Sequence, residues 1–110
     1  MIERFLNVAA VQMVSVLNWR TNLQVAGRLI KEAALNSARL VILPEFFIQM
    51  ADTSNTRRFD IAEEFGLGII QETLAQFAKE NNVYLLAGSI PLKSGNLKQF
   101  YNTTLMYEPD

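Results

Sequence analysis

The sequence predicts an α/β fold that begins with a parallel βαβ unit. Two short apolar runs, at residues 8–11 and 40–43, lie on either side of a segment with helical periodicity. Apolar runs of this length are typical of strands that are buried on both faces of a parallel sheet. A strand, an amphipathic helix and a second strand in such close succession form a right-handed βαβ unit, in which both strands are parallel.

The first helix is expected to begin near Asn22, because Thr21 and Gln24 have the spacing of a capping box. Its apolar side chains recur every three or four residues and share one face: Leu23, Ala26, Leu29, Ile30, Ala33 and Ala34. The helix is expected to end near residues 36–37. Pro44 then stops the second strand.

The second half of the sequence predicts one more helix and two more strands. A polar, irregular loop over residues 49–66 precedes a helix that Gly68 opens, and Asn81 and Asn82 can end that helix. The buried face of this helix is expected to consist of Ile70, Leu74, Phe77 and Ala78. After it come a strand over residues 83–91, a turn over 93–97 and an antiparallel strand over 101–107.

The composition bounds the function. A chain of 110 residues forms one domain at most, and its 50% hydrophobic and 19% charged residues are typical of a globular protein. Ten basic residues against eleven acidic ones give a net charge of −1, which favours neither nucleic acid nor an anionic membrane as a partner. The sequence contains no apolar stretch long enough to span a membrane and begins without a secretory signal, so we expect a cytoplasmic location.

The absence of two residue types restricts the chemistry further. The sequence contains no cysteine and no histidine. A disulfide framework, a cysteine zinc site, a Ser-His-Asp triad and a Cys-His dyad are therefore excluded within this chain. Carboxylates, amines, hydroxyls and backbone groups remain as reactive groups, and neither a metal nor a cofactor is expected.

Glu45 is the candidate catalytic residue. It follows Pro44 at the carboxyl end of a predicted strand, where parallel sheets bind their ligands. Partial desolvation beside Phe46 and Phe47 would favour its action as a general base. Taken alone, however, the tripeptide Leu-Pro-Glu is better explained as a strand stop that carries an exposed acid.

Aromatic and basic residues near Glu45 are weaker candidates. Phe46 and Phe47 could contact a substrate, although phenylalanines such as these, Phe59 and Phe65 are more often part of a hydrophobic core. The pair at residues 57–58, Arg57 and Arg58, is most simply a solvated patch, and it could instead form an ion pair with a carboxylate substrate.

Several other motifs are better explained by structure than by chemistry. Gly66 and Gly68 precede a helix, but they follow a loop and lack the third glycine of a phosphate-binding motif. Ser89 has no histidine to activate it, and Gly88 is expected to allow close packing within a strand. Asn102 is expected to hydrogen-bond to the backbone inside the sheet.

Four segments of the chain resemble the carbon–nitrogen hydrolase (nitrilase) superfamily. They are VAAVQM (residues 8–13), NLQVAGRLIKEAALNSARLVILPEFF (22–47), NNVYLLAGSIPL (81–92) and YNTTLMYEPD (101–110). Each segment is weak alone, but together they occur in the family's order and with its spacing. The resemblance is greatest to the branch that includes omega-amidase and deaminated-glutathione amidase.

This resemblance implies a fold and a mechanism. The fold would be the N-terminal portion of an αββα sandwich, as a single partial domain over residues 1–110. The family uses a Glu-Lys-Cys triad whose glutamate follows Leu-Pro, which assigns the role of general base to Glu45. The lysine and the nucleophilic cysteine would then lie beyond Asp110. The substrate would be a non-peptide amide or a nitrile of a small carboxylate. Ile69 departs from the proline that the family often has at this point.

The sequence is compatible with two functions. The chain could represent the N-terminal part of an amidase, or it could be a non-catalytic fragment that serves as a binding or assembly module. Without a cysteine, the 110-residue chain alone is expected to be inactive. Half a sandwich would leave a sheet face and a strand edge uncovered, so we expect a homo-oligomer or a complex with a complementary C-terminal fragment. Family members are usually dimers or larger assemblies, which favours association by resemblance.

Overall fold

A computed structural model describes residues 4–50 and 60–110. Within them, two helices accompany a mixed sheet with the strand order β1-β2-β3-β4. The elements are β1 (Val8–Ala10), α1 (Trp19–Leu35), β2 (Leu40–Ile42), α2 (Ile69–Asn81), β3 (Tyr84–Lys93) and β4 (Phe100–Tyr107). Strand β2 is parallel to both β1 and β3, and β4 is antiparallel to β3. The predicted α/β class and the parallel βαβ beginning are confirmed.

Helix α1 begins earlier than predicted. Its N-cap is Asn18, whose side-chain oxygen accepts hydrogen bonds from the N–H groups of Arg20 (3.0 Å) and Thr21 (3.3 Å). The expected start near Asn22 is therefore wrong, and so is the capping box. An asparagine side chain satisfies the first free N–H groups of a helix. Asn22 is itself buried inside the helix.

The ends of both helices and the start of α2 agree with the prediction. Helix α1 ends at Leu35, and Asn82 ends α2 in the left-handed conformation with φ 51°. Gly68 precedes α2 with φ 130°, a backbone conformation that favours glycine. Phe65 departs from the prediction, because it is 76% exposed rather than part of the core. It lies in the exposed turn that leads into α2.

The two helices pack against the same face of the sheet. Alternate strand residues point to opposite faces, and on the covered face Val41, Leu85 and Ala87 are fully buried. They share one hydrophobic core with residues of both helices: Leu23, Ala26, Ile30, Ile70, Leu74 and Ala78. On the opposite face, Tyr84 and Met106 remain exposed. The described part of the chain thus covers one face of its sheet and leaves the other open.

The β3–β4 hairpin is closely packed at Gly88. This residue lies opposite Thr104, and a Cβ at Gly88 would lie 2.5 Å from the Thr104 hydroxyl oxygen. Such a distance is far shorter than a van der Waals contact, so the predicted close-packing role of Gly88 is confirmed. Among the described residues, neither helix has the length and the apolar composition that crossing a membrane requires.

Candidate active site

Glu45 lies directly beyond β2 and is linked to the far side of the hairpin. Its carboxylate Oε1 accepts a hydrogen bond of 3.2 Å from the side-chain amide of Asn102. Asn102 lies in β4, where it pairs with Pro91 of β3. The expectation that Asn102 bonds to the backbone inside the sheet is therefore wrong. Strands β2 and β3 are parallel and β4 runs the opposite way, so this bond spans the carboxyl edge of the sheet.

The side chain of Glu45 is exposed in the described part of the chain. The expected desolvation beside Phe46 and Phe47 is therefore not provided there. The side chain of Phe47 is fully buried in the core, which is the alternative that the sequence already favoured. The ring of Phe46 is partly buried and meets the ring of Phe100 edge to face, with centroids 6.2 Å apart. A substrate contact by Phe46 or Phe47 stays a prediction.

The backbone turns sharply at Phe46, immediately after Glu45. Phe46 has φ 47°, in the left-handed region that non-glycine residues rarely adopt. Its N–H donates a hydrogen bond of 3.1 Å to the hydroxyl of Ser89, which is 5% exposed. A costly backbone conformation persists only where the surrounding structure fixes it. Ser89 therefore contributes as a buried hydrogen-bond acceptor in β3 that holds the corner after Glu45.

A buried asparagine anchors the segment that follows this corner. The side chain of Asn22, 1% exposed, donates hydrogen bonds to the carbonyl oxygens of Val16 (2.7 Å) and Ile48 (2.8 Å). Its own oxygen accepts a bond of 2.8 Å from the N–H of Val16. These three bonds connect the β1–α1 loop to the segment after Glu45. The buried side-chain amide of Asn22 thus has hydrogen-bond partners for its donors and its acceptor. Replacing Asn22 by an apolar residue would leave the backbone groups of its partners unpaired.

Further hydrogen bonds connect the same two segments. The hydroxyl of Ser15 donates to the carbonyl of Phe47 at 2.7 Å, and the Gln49 amide donates to the carbonyl of Leu17 at 3.1 Å. None of the predicted elements indicated this network, although the sequence carries one signal for it. Asn22 lies four residues before Ala26 on the apolar stripe of the helix, and a polar side chain there is expected to be buried.

The amino end of α2 is occupied by a carboxylate of the chain itself. The side chain of Glu63 accepts hydrogen bonds from the N–H groups of Ile70 (2.8 Å) and Gln71 (3.1 Å). A Cβ at Gly68 would overlap the Glu63 carboxyl group, which explains the glycine there. Because this helix end already holds an anion, the turn at residues 66–68 is a helix start rather than a phosphate site.

The same carboxylate acts on Tyr107, in β4. Burial, and to a smaller extent the nearby negative charge of Glu63, together raise the pKa of Tyr107 from 10.0 to about 12. The weaker candidates Arg57 and Arg58, and the predicted core residue Phe59, lie outside the described residues.

Known proteins share both the sequence pattern and the fold. The carbon–nitrogen hydrolase family model matches residues 7–110. Omega-amidase NIT2-B from Xenopus laevis is 42% identical over 89 residues, which cover 81% of this chain and 30% of that protein. Nitrilase homolog 2 from Dictyostelium discoideum is 32% identical over 105 residues, which cover 96% of this chain and 31% of that protein.

The solved structures agree with these sequence matches. The crystal structure of Saccharomyces cerevisiae Nit3, a member of branch 10 of the nitrilase superfamily, matches with a TM-score of 0.82 at 26% identity. This match covers 96% of the present chain and 40% of Nit3. The architecture is thus that of the nitrilase superfamily. The chain belongs to the carbon–nitrogen hydrolase family, near its omega-amidase branch, and spans about 30% of the length of the curated relatives it matches.

Proposed function

We propose that Glu45 is the general base of an amidase-type active site that hydrolyses the amide, or the nitrile, of a small carboxylate. The observation that carries this proposal is the position of Glu45 at the carboxyl edge of the sheet, with its carboxylate bonded to Asn102. Ligands of open α/β sheets bind at this edge. The names of the similar omega-amidases support an amide as the substrate.

The proposed reaction is acyl transfer through a thioester. A cysteine sulfur attacks the amide carbonyl carbon while Glu45 accepts the thiol proton. That proton passes to the leaving nitrogen, the C–N bond breaks, and ammonia departs. Glu45 then takes a proton from water, whose oxygen attacks the thioester carbon. The C–S bond breaks, the acid is released, and Glu45 returns the proton to the cysteine sulfur. A lysine ammonium and backbone N–H groups stabilise the oxyanion in both steps.

The 110 residues supply one member of this triad. They contain no cysteine, so the nucleophile must come from residues outside them. Stabilisation of the oxyanion is worth about 3 kcal/mol, and the proposed lysine also lies beyond Asp110. We therefore propose that the 110-residue chain alone does not hydrolyse amides, even though Glu45 lies at the carboxyl edge of the sheet.

The open sheet face supports a partner for this chain. Apolar side chains lie exposed on it, among them Val8, Tyr84 and Met106. An uncovered apolar face of this kind favours association. We propose that it packs against a complementary C-terminal portion of the sandwich or, in the absence of that portion, against a second copy of the chain. The same association would cover Glu45 from solvent and supply the desolvation that a general base uses.

A hybrid enzyme tests the catalytic proposal. It joins residues 1–110 to the part of Xenopus laevis omega-amidase NIT2-B that follows the matched region, and ammonia release is measured from amides of short dicarboxylates. We expect turnover by the hybrid and none by the 110-residue chain. Glu45→Gln should lower kcat/KM by about 1,000-fold, because it removes the proton acceptor.

The matched control for this variant is Glu32→Gln. Glu32 is also an exposed glutamate, but it lies on α1. Its replacement should leave kcat/KM unchanged. Equal activity of the two variants, or turnover by the 110-residue chain, would contradict the proposed function.

One observation, the open face of the sheet, favours the alternative function of a non-catalytic assembly module. Sedimentation of the 110-residue chain at several concentrations should reveal association. Met106→Glu, on the open face, should weaken it, whereas Leu97→Glu should not, because Leu97 is 98% exposed in the β3–β4 turn. A stable monomer at every concentration would count against association. An inactive hybrid together with robust association would favour the assembly module.

A further inference from the structure

Asn102 is the residue that β4 directs toward Glu45. Its amide reaches a carboxylate 57 positions away in the sequence and donates to Oε1 at 3.2 Å. Both side chains are exposed, so burial does not hold either of them in place. An exposed glutamate rotates freely about three side-chain bonds, and each fixed bond has an entropic cost. Among residues 4–50 and 60–110, the hydrogen bond from Asn102 is therefore the side-chain contact that favours one orientation of this carboxylate.

The β3–β4 hairpin also fixes the backbone beneath that carboxylate. Ser89 of β3 accepts the N–H of Phe46, and the ring of Phe100 in β4 packs against the ring of Phe46. Phe100 and Asn102 are two positions apart in the strand and therefore point to the same side of it. The corner at residues 45–46 is thus held by three contacts with one hairpin: one to the carboxylate, one to the backbone and one to the neighbouring ring.

We propose that Asn102 is a positioning residue for Glu45. Its amide N–H holds Oε1 and so fixes the orientation in which Oε2 can accept the proton of the nucleophile, and this hydrogen bond favours the charged form of the carboxylate. This inference rests on the proposed function, because a positioning role has meaning only if Glu45 is the base. It adds to the Glu-Lys-Cys triad a neutral residue that lies within these 110 residues.

A positioning role of Asn102 can be distinguished from a purely structural role, because its side-chain amide carries no charge and does not titrate. Asn102 and Ser89, which face the corner from β4 and β3, do not titrate between pH 3 and pH 9. Replacing Asn102 by alanine removes a donor that favours the charged form of Glu45. Replacing it by aspartate places a second negative charge at the same spot, and like charges disfavour ionisation. Protonation of Glu45 should therefore begin at higher pH in both variants, and the shift should be larger with aspartate.

The first test uses the 110-residue chain and needs no enzymatic activity. Glutamate labelled with ¹³C at its carboxyl carbon is incorporated, and the Glu45 signal is assigned from its loss in Glu45→Gln. The titration midpoint of this signal should rise by about one pH unit in Asn102→Asp and by less in Asn102→Ala. Asn96→Asp, an exposed asparagine in the turn, is the matched control and should leave the midpoint unchanged. Unchanged midpoints in both Asn102 variants would overturn the proposal.

The second test uses the hybrid enzyme. Asn102→Ala should lower kcat/KM about tenfold, which corresponds to the loss of one hydrogen bond to a charged group. The acid limb of the kcat/KM profile should move to higher pH in the same order as the titration midpoints. A purely structural role would lower activity without moving this limb.

The outcomes of the two proposals are distinguishable. Full activity of Glu45→Gln would overturn the proposed function and the positioning role together. Loss of activity in Glu45→Gln, combined with a wild-type acid limb in Asn102→Asp and Asn102→Ala, would overturn the positioning role and leave the general base in place.

Discussion

The two faces of the sheet differ in how completely this chain covers them. On the helix-covered face, Val41, Leu85 and Ala87 are fully buried, whereas on the open face Tyr84 is 43% and Met106 53% exposed. The strands are the same on both faces, so the difference comes from the two helices and the loop residues of the core, such as Phe47 and Ile48. The described residues thus build one layer of packing and the corner that carries Glu45, and they leave the other face of the sheet open.

The largest expected effect comes from a pair of neighbouring leucines on the two faces. Leu85→Ala should lower the free energy of unfolding by about 3 kcal/mol, because it leaves a cavity in the core. Leu86→Ala should cost about 1 kcal/mol, because Leu86 is only partly buried on the open face. Urea denaturation of the 110-residue chain measures both values. Equal losses of unfolding free energy would contradict the difference in burial between the two faces.

The same two substitutions can also be compared in the hybrid enzyme, where additional residues could cover the open face. In the hybrid enzyme, a sheet packed on the open face would bury Leu86, so the cost of Leu86→Ala should approach that of Leu85→Ala. If the cost at Leu86 stays the same in the hybrid, the added residues do not cover this face.

Gly88 is the point at which the open face is already tightly packed. Gly88→Ala should cost about 2 kcal/mol, because the new Cβ would collide with the side chain of Thr104. Adding Thr104→Ala removes the two nearest atoms and should restore part of the lost stability. Thermal unfolding of the single and double variants measures this coupling. Additive effects of the two changes would show that the predicted collision does not occur.

The smallest expected effect is a dependence on alkaline pH. Tyr107 has a pKa of about 12 in the folded chain against 10.0 for an ordinary tyrosine, so the folded state holds this proton more tightly. Its contribution to stability is complete below pH 10 and is lost as the pH rises from about 10 to about 12. Stability should therefore fall across this window, and Tyr107→Phe should remove that part of the fall. Tyr101→Phe, at a tyrosine that is 62% exposed, should leave the fall unchanged.

Local patterns in the sequence predicted most of the fold. The apolar runs located the strands, and the spacing of Leu23, Ala26 and Ile30 located the buried face of α1, because periodicity follows directly from backbone geometry. The start of α1 was missed because Asn18 and Thr21 are both acceptable caps, and tertiary contacts decide between them. Asn22 decides it here, since its bonds to the β1–α1 loop require that it lie inside the helix.

The site was predictable only in part, because its contacts are distant in the sequence. The place of Glu45 after a strand is local information, whereas its role as the general base was implied only by the family resemblance and stays a prediction. Its bond to Asn102 depends on the pairing of β3 with β4, and no spacing in the sequence reports it. The hydrogen bond from the Phe46 N–H to the Ser89 hydroxyl likewise joins residues that are distant in the sequence. The exposure of Phe65 was missed because composition favours burial of aromatic residues without regard to the turn that holds them.

The acid limb of the kcat/KM profile of the hybrid enzyme tests whether Glu45 is the general base. A general base must be ionised to act, so the activity of the wild-type hybrid should fall at low pH as Glu45 takes up a proton. In Glu45→Gln, the residual activity should show no fall over the same range, because glutamine does not titrate. An acid limb that persists at the same pH in Glu45→Gln would contradict the claim that Glu45 accepts the proton.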